Sequence, residues 1–400
     1  KGECVLMKAV QIVKPEDLRV IDIEKPVIDE KNNVLVKMTA AGICGSDMGI
    51  YHGTNAAATY PRIIGHEMVG RVDQVGSNVK NLKVGDRVII NQVTSCGHCY
   101  PCRKGRGNVC DNLAIRGVHI DGGYREFIAV PESDCYVLPD SLSDTDAIMI
   151  EPTTIGIQSC TRAQLEKDDM LLIYGSGALG STILKVARLL CDHIIVADIM
   201  DDKLELARQN GAKYTINPLK EDLTEKIKEY TEGHGSTVSI DSACTKDSLI
   251  TLLKATGNAG RVITMGFSVA PTEVNQFLIT SKELDVRGSR LQNHMFGKAI
   301  ELINEGKLDL NGTVSHTFPL IRAQEAFDFN DSHDPSIRKI ALTFDGTASG
   351  KFRQRKRSIF CHEHIPNPCA GSSYRAFPHG SCRYSSQTGQ FYFQNRLWID

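Results

Sequence analysis

The feature that most constrains the fold is a glycine-rich loop between an apolar strand-like run and an apolar helix-like segment. The run Leu171-Leu172-Ile173-Tyr174 is followed directly by Gly175-Ser176-Gly177-Ala178-Leu179-Gly180, which has the spacing G-x-G-x-x-G. Such glycines permit a tight turn and a close backbone approach to pyrophosphate, and the next helix directs its N-terminus at the negative charge. The sequence therefore predicts a dinucleotide site with contacts from Gly175, Gly177, Ala178, Leu179 and Gly180.

An acidic residue after the next apolar run indicates which dinucleotide is bound. Asp198 lies 23 residues after Gly175. A carboxylate there accepts hydrogen bonds from the adenosine ribose hydroxyls and repels a 2′-phosphate, which favours NAD over NADP. The alternative is that Asp198 only caps the following helix. Lys203, in that helix, is a further candidate cofactor contact.

The rhythm of apolar runs divides the chain into three regions. Residues 7–150 contain short apolar runs between Gly, Asn, Asp and Pro, as in a β-rich domain. Residues 151–287 alternate strand-like and helix-like runs, which predicts an α/β fold with a doubly wound parallel sheet. Residues 288–345 lose this alternation and are expected to return to the first domain. The predicted strands are 34–38, 68–72, 87–90, 170–174, 194–197, 238–240, 261–265 and 339–344, and the predicted helices are 179–190, 203–210, 223–230, 246–255 and 296–305.

The composition argues against nucleic acid or a membrane as the main partner. The chain is 41% hydrophobic and contains no apolar run long enough to span a bilayer. Residues 346–400 carry eight Lys or Arg and two Asp or Glu, so the rest of the chain is mildly acidic. No signal-peptide pattern is present at the start, which favours the cytoplasm.

The two ends differ in composition and apolar patterning from the rest of the chain. Residues 1–6 precede a strand-like opening at Met7, and we interpret them as a non-native leader. Residues 346–400 are rich in Ser, Arg, Gly and Gln, and we interpret them as a disordered or artificially appended tail. Alternatively, Cys361-His362-Glu363-His364 and Cys369 bind a metal or nucleic acid, but their spacing fits no finger pattern.

A cluster of four cysteines predicts a closed metal site. Four thiolates spaced C-x2-C-x2-C-x7-C can surround one Zn²⁺ tetrahedrally, which leaves no open position and makes the site structural. Disulfides are a weaker alternative, since the total of thirteen cysteines is odd, and nothing else in the chain requires an iron–sulfur cluster. The predicted ligands are Cys96, Cys99, Cys102 and Cys110.

A second constellation is suited to a catalytic metal. Cys44 is followed 22 residues later by His66 and then Glu67, and Glu151 lies where the β-rich region ends. Cys, His and carboxylate ligands suit a zinc site that keeps one position open for water or substrate. Taken singly, each residue has an ordinary structural explanation, such as a buried thiol or a surface ion pair.

Together these motifs resemble the zinc-containing medium-chain alcohol and polyol dehydrogenases, in the branch of starvation-sensing protein B and the hexonate 5-dehydrogenases. The resemblance runs from Met7 to about Phe344. It implies a GroES-like catalytic domain interrupted by a Rossmann domain, with the active site between them. The shared stretches are Ser95-Cys96-Gly97-His98-Cys99-Tyr100-Pro101-Cys102, Gly117-Val118-His119-Ile120-Asp121-Gly122-Gly123, Met149-Ile150-Glu151-Pro152 and Gly288-Ser289-Arg290.

The resemblance also implies two zinc ions per chain and roles at the catalytic one. Its ligands are Cys44, His66 and either Glu67 or Glu151, between which the sequence does not decide. Ser46 matches the hydroxyl that passes the alcohol proton onward.

One departure concerns the proton relay. Many members have His five residues after the ligand cysteine, where this chain has Gly49. His52 is the candidate substitute, and release to water is the alternative. The usual Pro-Ile of the cofactor loop is replaced by Ala178-Leu179, at positions that need no special backbone geometry.

The branch-level stretches indicate the substrate. His119 and Arg290 are candidate contacts of a substrate hydroxyl and a carboxylate, because the planar Arg fork can bind both carboxylate oxygens. We therefore expect a homodimeric or homotetrameric NAD-linked oxidoreductase acting on a secondary hydroxyl of a sugar acid or polyol. The alternatives are a sorbitol- or threonine-type dehydrogenase and a non-catalytic NAD-binding regulatory protein.

Overall fold

The computed structural model describes residues 5–267 and 269–344, together with the backbone of two short strands near the C-terminus. Of the interpreted leader, residues 1–4 lie outside the described part, while Leu6 already begins the first strand. The interpretation of the tail and of its Cys361-His362-Glu363-His364 segment and Cys369 also lies outside the described residues, apart from those two strands.

The first region is built from short strands and three short helices. In chain order these elements are β1 (Leu6–Lys14), β2 (Asp17–Glu24), β3 (Val34–Ile43), α1 (Gly45–Tyr51), β4 (Arg62–Ile63), β5 (Glu67–Val75), β6 (Arg87–Ile90), β7 (Val93–Thr94), α2 (Tyr100–Arg103), β8 (Ala114–Ile115), β9 (Phe127–Val130), β10 (Cys135–Val137) and α3 (Asp144–Ala147), with 3₁₀ turns at Gly107–Val109 and Glu132–Asp134. The β-rich character predicted for this region is confirmed.

Strand β3 is the centre of this region because its apolar side chains are buried against two partners. It pairs antiparallel with β5 and, at its start, with β9. Val34, Val36 and Met38 face one packed cluster, while Ala41 and Ile43 contribute to another. The register places Gly42 of β3 opposite Glu67 of β5. This pairing brings the start of β5 next to the segment that leads into α1.

The middle region is a six-stranded parallel sheet with helices on both faces. Its elements are α4 (Ile150–Ala163), β11 (Met170–Tyr174), α5 (Ala178–Ala187), β12 (His193–Ala197), α6 (Asp201–Gln209), β13 (Tyr214–Ile216), α7 (Leu223–Tyr230), β14 (Ser236–Asp241), α8 (Ser248–Ala255), β15 (Thr256–Thr264), α9 (Gln276–Thr280) and β16 (Asp285–Gly288). The strands lie in the order β13-β12-β11-β14-β15-β16. Successive strands of the chain are added on one side of β11 up to β13 and on the other side from β14 onward. Ligands of doubly wound sheets bind at such a switch point, which is where the glycine-rich loop begins.

The strands of the last region belong to the sheet that contains β3. This region consists of α10 (Phe296–Asn304), β17 (His316–Pro319), a 3₁₀ turn at Leu320–Arg322, α11 (Ala323–Asp331) and β18 (Ile340–Thr343). Strand β18 pairs antiparallel with the end of β3, so Ile340 faces Ile43. The two C-terminal strands, β19 (Arg383–Tyr384) and β20 (Phe391–Tyr392), form an antiparallel pair. Within the described ranges, no helix has the length and apolarity needed to cross a bilayer.

Candidate active site and metal centres

The first candidate centre lies where α1 and β5 begin. Cys44 immediately precedes α1, His66 precedes β5, and Glu67 is the first residue of β5. One ligand atom from each of these residues lies within 4.8 Å of the other two. The three predicted ligands are therefore brought together with Glu67 as the carboxylate.

The surroundings of Glu67 fit a metal ligand. Its Oε1 accepts a hydrogen bond from the buried Lys339 Nζ at 2.5 Å, whereas its buried Oε2 has no hydrogen-bond partner in the described part of the chain. A Cβ added at Gly42 would lie only 1.7 Å from Oε2, so any side chain at this position would displace the carboxylate. An orphaned carboxylate oxygen beside a thiol and an imidazole is a donor set suited to Zn²⁺.

Asp47 lies at the Nδ1 side of the His66 imidazole and orients the ring. Its Oδ1 lies 3.3 Å from His66 Nδ1, and its Oδ2 accepts hydrogen bonds from the Cys44 backbone N–H at 2.9 Å and the Tyr124 hydroxyl at 3.3 Å. Burial opposes protonation of His66, but the Asp47 carboxylate and the Cys44 sulfur outweigh it and hold the His66 pKa well above its usual value. The pocket therefore favours a positive charge, which a metal cation supplies as well as a proton.

Glu151, the alternative carboxylate ligand, does not belong to the three-residue group. It lies buried in the first turn of α4 and accepts a hydrogen bond from Gln92 Nε2. Burial raises the Glu151 pKa to about 7. The charge of His66 lowers this pKa, and the charge of Glu67 raises it. Glu151 is thus a neighbour of the centre, while the geometry favours Glu67 as the ligand.

The two candidate relay residues have different positions. Ser46 Oγ lies 3.4 Å from His66 Nε2, at the centre itself. His52 is the C-cap residue of α1 and follows Ser46 by six residues, a helical rise of about 9 Å. Its Nδ1 contacts Glu16 Oε1 at 2.7 Å and its Nε2 contacts Asp331 Oδ1 at 3.0 Å. Both ring nitrogens of His52 are thus engaged by carboxylates, which argues against the expected role of His52 as the substitute relay residue.

The glycine-rich loop has the geometry that its spacing predicts. Gly175 has a φ of +102°, and a Cβ added at Gly180 would lie 2.0 Å from the Gly175 carbonyl oxygen. Gly177 caps α5 without a side chain, which leaves the helix N-terminus open. Asp198 binds this loop, since its Oδ2 accepts a hydrogen bond from the Ser176 N–H at 2.7 Å.

A cavity of about 610 Å³ begins at this loop. Three of the predicted cofactor contacts, Gly177, Ala178 and Lys203, line it, and Arg338 lines it from the returning segment. Leu179 packs instead against the main core of the parallel sheet. The Asp198 carboxylate also accepts a hydrogen bond from the Met200 N–H at 2.9 Å, so it joins the loop to the start of α6.

The four-cysteine loop (residues 96–110) forms the second candidate metal centre. Its four sulfur atoms all lie within 4.8 Å of one another. Backbone N–H groups of Cys96 and Asn112 donate to Cys110 Sγ, both at 3.3 Å, which stabilises a thiolate. All nine cysteines in the described ranges are free. The predicted ligands Cys96, Cys99, Cys102 and Cys110 are thus assembled without a disulfide.

The two predicted substrate residues, His119 and Arg290, interact electrostatically. The Ile115 N–H donates to His119 Nδ1 at 3.2 Å, so a neutral His119 carries its proton on Nε2. Burial lowers the His119 pKa, and the positive charges of Arg290 and Arg62 add to this effect. The Arg290 guanidinium stacks over the Phe267 ring at 5.4 Å, and its buried Nε has no partner among the residues described.

Three supporting residues were not predicted from the sequence. They are Asp47, Lys339 and Gln92. The signal for Asp47 was available, because a carboxylate three residues after a ligand cysteine can reach back to the site. Lys339 and Gln92 gave no such signal, since their partners are distant along the chain.

Comparison with known proteins agrees with this geometry. Residues 30–140 match the family model of the alcohol dehydrogenase GroES-like domain, and residues 178–305 match that of the zinc-binding dehydrogenases. The chain is 40% identical to the starvation-sensing protein RspB of Escherichia coli K12 over 344 residues, which cover 84% of this chain and 99% of that protein.

Two solved structures are similar over the same part of the chain. The crystal structure of the RspB alcohol dehydrogenase from Escherichia coli CFT073 in complex with NADH has a TM-score of 0.80 and 39% identity, covering 85% of this chain and 99% of that chain. L-Idonate 5-dehydrogenase from Escherichia coli K-12 has a TM-score of 0.76 and 25% identity, again with 85% and 99% covered.

Proposed function

Because this chain belongs to the zinc-containing medium-chain alcohol dehydrogenases, we propose that it oxidises a secondary hydroxyl of a sugar acid, with Cys44, His66 and Glu67 as the catalytic zinc ligands. The chain is an oxidoreductase that uses a nicotinamide cofactor and acts on CH–OH groups, as its family does. The substrate class and the role of each residue are the proposed part.

One observation carries the choice of an acidic substrate. The Arg290 guanidinium has no acidic partner among the described residues, although its Nε is buried. The side chain as a whole is half-buried, and a substrate carboxylate would give its guanidinium an anionic partner through two parallel hydrogen bonds. The similarity to L-idonate 5-dehydrogenase, whose name refers to a sugar acid, supports the same class.

The roles of the side chains follow from their contacts. When bound, zinc would lower the pKa of the substrate hydroxyl and the nicotinamide would accept hydride. Ser46 Oγ, which is partly exposed, takes the hydroxyl proton and passes it to water, because His52 is engaged elsewhere. Asp47 holds the His66 ring in position. Asp198 holds the glycine-rich loop that binds the cofactor pyrophosphate.

His119 and Arg290 orient the rest of the substrate. The neutral His119 presents Nε2–H as a donor to a hydroxyl oxygen, and its lowered pKa keeps it in that form near neutral pH. Arg290 binds the terminal carboxylate. Anchoring both groups would fix the orientation of the substrate, and such positioning lowers the entropic part of the barrier.

A substrate panel tests the proposal directly. Purified protein is assayed with hexonates and with the alditols of the same stereochemistry, using NAD and NADP and following the absorbance of the reduced nicotinamide. We expect the highest kcat/KM for a hexonate with NAD. A clear preference for the neutral alditols would contradict the acidic substrate class but not the family assignment.

A further inference from the structure

The four-cysteine loop contacts the segment that carries Arg290. Asn108 Nδ2 donates a hydrogen bond to the Arg290 backbone oxygen at 2.7 Å, although the two residues are 182 positions apart in the sequence. A second bond runs the opposite way, from Asn293 Nδ2 to the Gly105 oxygen at 2.6 Å. The loop is therefore attached to the segment just after β16 at two points, Arg290 and Asn293.

The side chain of Asn108 is buried at this contact. It lies in the 3₁₀ turn Gly107–Val109 and is only 2% exposed, which is uncommon for an asparagine. Its only hydrogen bond within the described ranges is the one to Arg290, because its buried Oδ1 has no partner there. Burial of an amide oxygen without a partner costs stability, so an asparagine at this position is explained by its bond to Arg290 and not by its contribution to stability.

Few side-chain contacts hold the Arg290 guanidinium in place, so the position of the Arg290 backbone largely sets where it lies. Its charged group makes no hydrogen bond within the described ranges and is held only by stacking on the Phe267 ring. Phe267 is itself 69% exposed, so the stack gives little rigidity. The bond to Asn108 fixes the Arg290 carbonyl, and hence the point from which this long side chain extends.

We infer that Asn108 is a positioning residue for substrate recognition, which holds Arg290 where its guanidinium meets the carboxylate of the substrate. This inference rests on the proposed function. It gives the four-cysteine loop a part in substrate specificity, in addition to its effect on folding.

The test compares Asn108→Ala with a matched variant in the same protein. Asn112→Ala is the control, because Asn112 lies just beyond the loop, is exposed, and makes no side-chain hydrogen bond within the described ranges. For Asn108→Ala, loss of one hydrogen bond should raise KM for the best hexonate about fivefold to tenfold. We expect kcat, KM for the matched alditol and KM for NAD to change less than about twofold, and zinc content to stay unchanged.

A double variant separates positioning from general damage. If Asn108 acts through Arg290, the variant with both Asn108→Ala and Arg290→Ala should be no worse on the hexonate than Arg290→Ala alone. Additive losses, or equal losses on the hexonate and the alditol, would overturn the inference. If the wild type shows no preference that Arg290→Ala removes, the proposed substrate class fails instead, so the two failures are distinguishable.

Discussion

Lys339 and Glu67 form an ion pair that is buried on both sides, with Lys339 Nζ 2.5 Å from Glu67 Oε1 and side chains 4% and 0% exposed. Burial opposes protonation of Lys339, but the charges of Glu67 and Cys44 outweigh it and raise the Lys339 pKa. The pair joins the segment before β18 to the first residue of β5. It thus links the returning part of the chain directly to a candidate metal ligand.

Removal of Lys339 should therefore destabilise the protein strongly. In Lys339→Met, Glu67 keeps a buried charge without its partner, and we expect a loss of about 3–5 kcal/mol in the free energy of unfolding. Urea unfolding followed by circular dichroism measures this loss. Lys167→Ala is the control, since Lys167 and Asp192 form an exposed pair at 4.0 Å, and it should cost less than about 1 kcal/mol. If Lys339→Met loses no more free energy of unfolding than Lys167→Ala, the buried pair does not stabilise the fold.

The two metal centres should respond differently to loss of one cysteine. Cys99→Ser removes a ligand of the closed centre, whose binding free energy contributes to folding, so it should lower the melting temperature and release one zinc ion per chain. Cys44→Ser should reduce kcat/KM by about a hundredfold or more while the melting temperature changes little. Zinc content by mass spectrometry, thermal melting and activity are measured together. Equal losses of stability and activity in both variants would contradict the division.

Cofactor choice should depend on Asp198. In Asp198→Ala the repulsion of a 2′-phosphate is lost, so the ratio of kcat/KM for NAD to that for NADP should fall by about tenfold. The KM for NAD should also rise, because the Ser176 and Met200 N–H groups lose their acceptor. A wild-type protein that prefers NADP would contradict the role given to Asp198.

His52 should make stability depend on pH without affecting catalysis. Its hydrogen bonds to Glu16 and Asp331, aided by their charges, raise the His52 pKa above 6.5. The protonated form is favoured in the folded state, so this stabilisation is complete below the unfolded pKa and is lost as pH rises through the folded pKa. His52→Gln should lower the melting temperature more at about pH 6 than at about pH 9. A change in kcat would contradict the placement of His52 away from the active centre.

The parts of the fold with a clear apolar period were predicted closely. The strand at 170–174 and the helix at 223–230 coincide with β11 (Met170–Tyr174) and α7 (Leu223–Tyr230). Helix α4 was missed, because most of its residues are buried, so it has no polar stripe, and Pro152 near its start weakens the helical signal. A helix that is buried on most sides lacks the regular alternation of apolar and polar residues by which a helix is predicted from sequence.

The same limit applies to the candidate site. Metal ligands could be predicted because their residue types are chemically distinctive and their spacing is local. The choice between Glu67 and Glu151 could not be made, because it depends on the distances that the folded chain sets around Cys44. The placement of His52 depended on Glu16 and Asp331, which come from distant parts of the sequence. Contacts between distant segments are the information that local patterns lack.

Substrate choice should depend on Arg290. A charge-assisted hydrogen bond contributes about 1.5–3 kcal/mol, which corresponds to a roughly tenfold to 150-fold preference in kcat/KM if it persists in the transition state. Arg290→Ala should therefore bring the hexonate close to the matched alditol, mainly by weakening the hexonate. Arg290→Lys, which keeps the charge but loses the planar fork, should lie between the two. Steady-state kinetics on both substrates measure the effect. If sorbitol or threonine is the better substrate of the wild type, the unpaired guanidinium of Arg290 serves another purpose, and only the zinc dehydrogenase assignment stands.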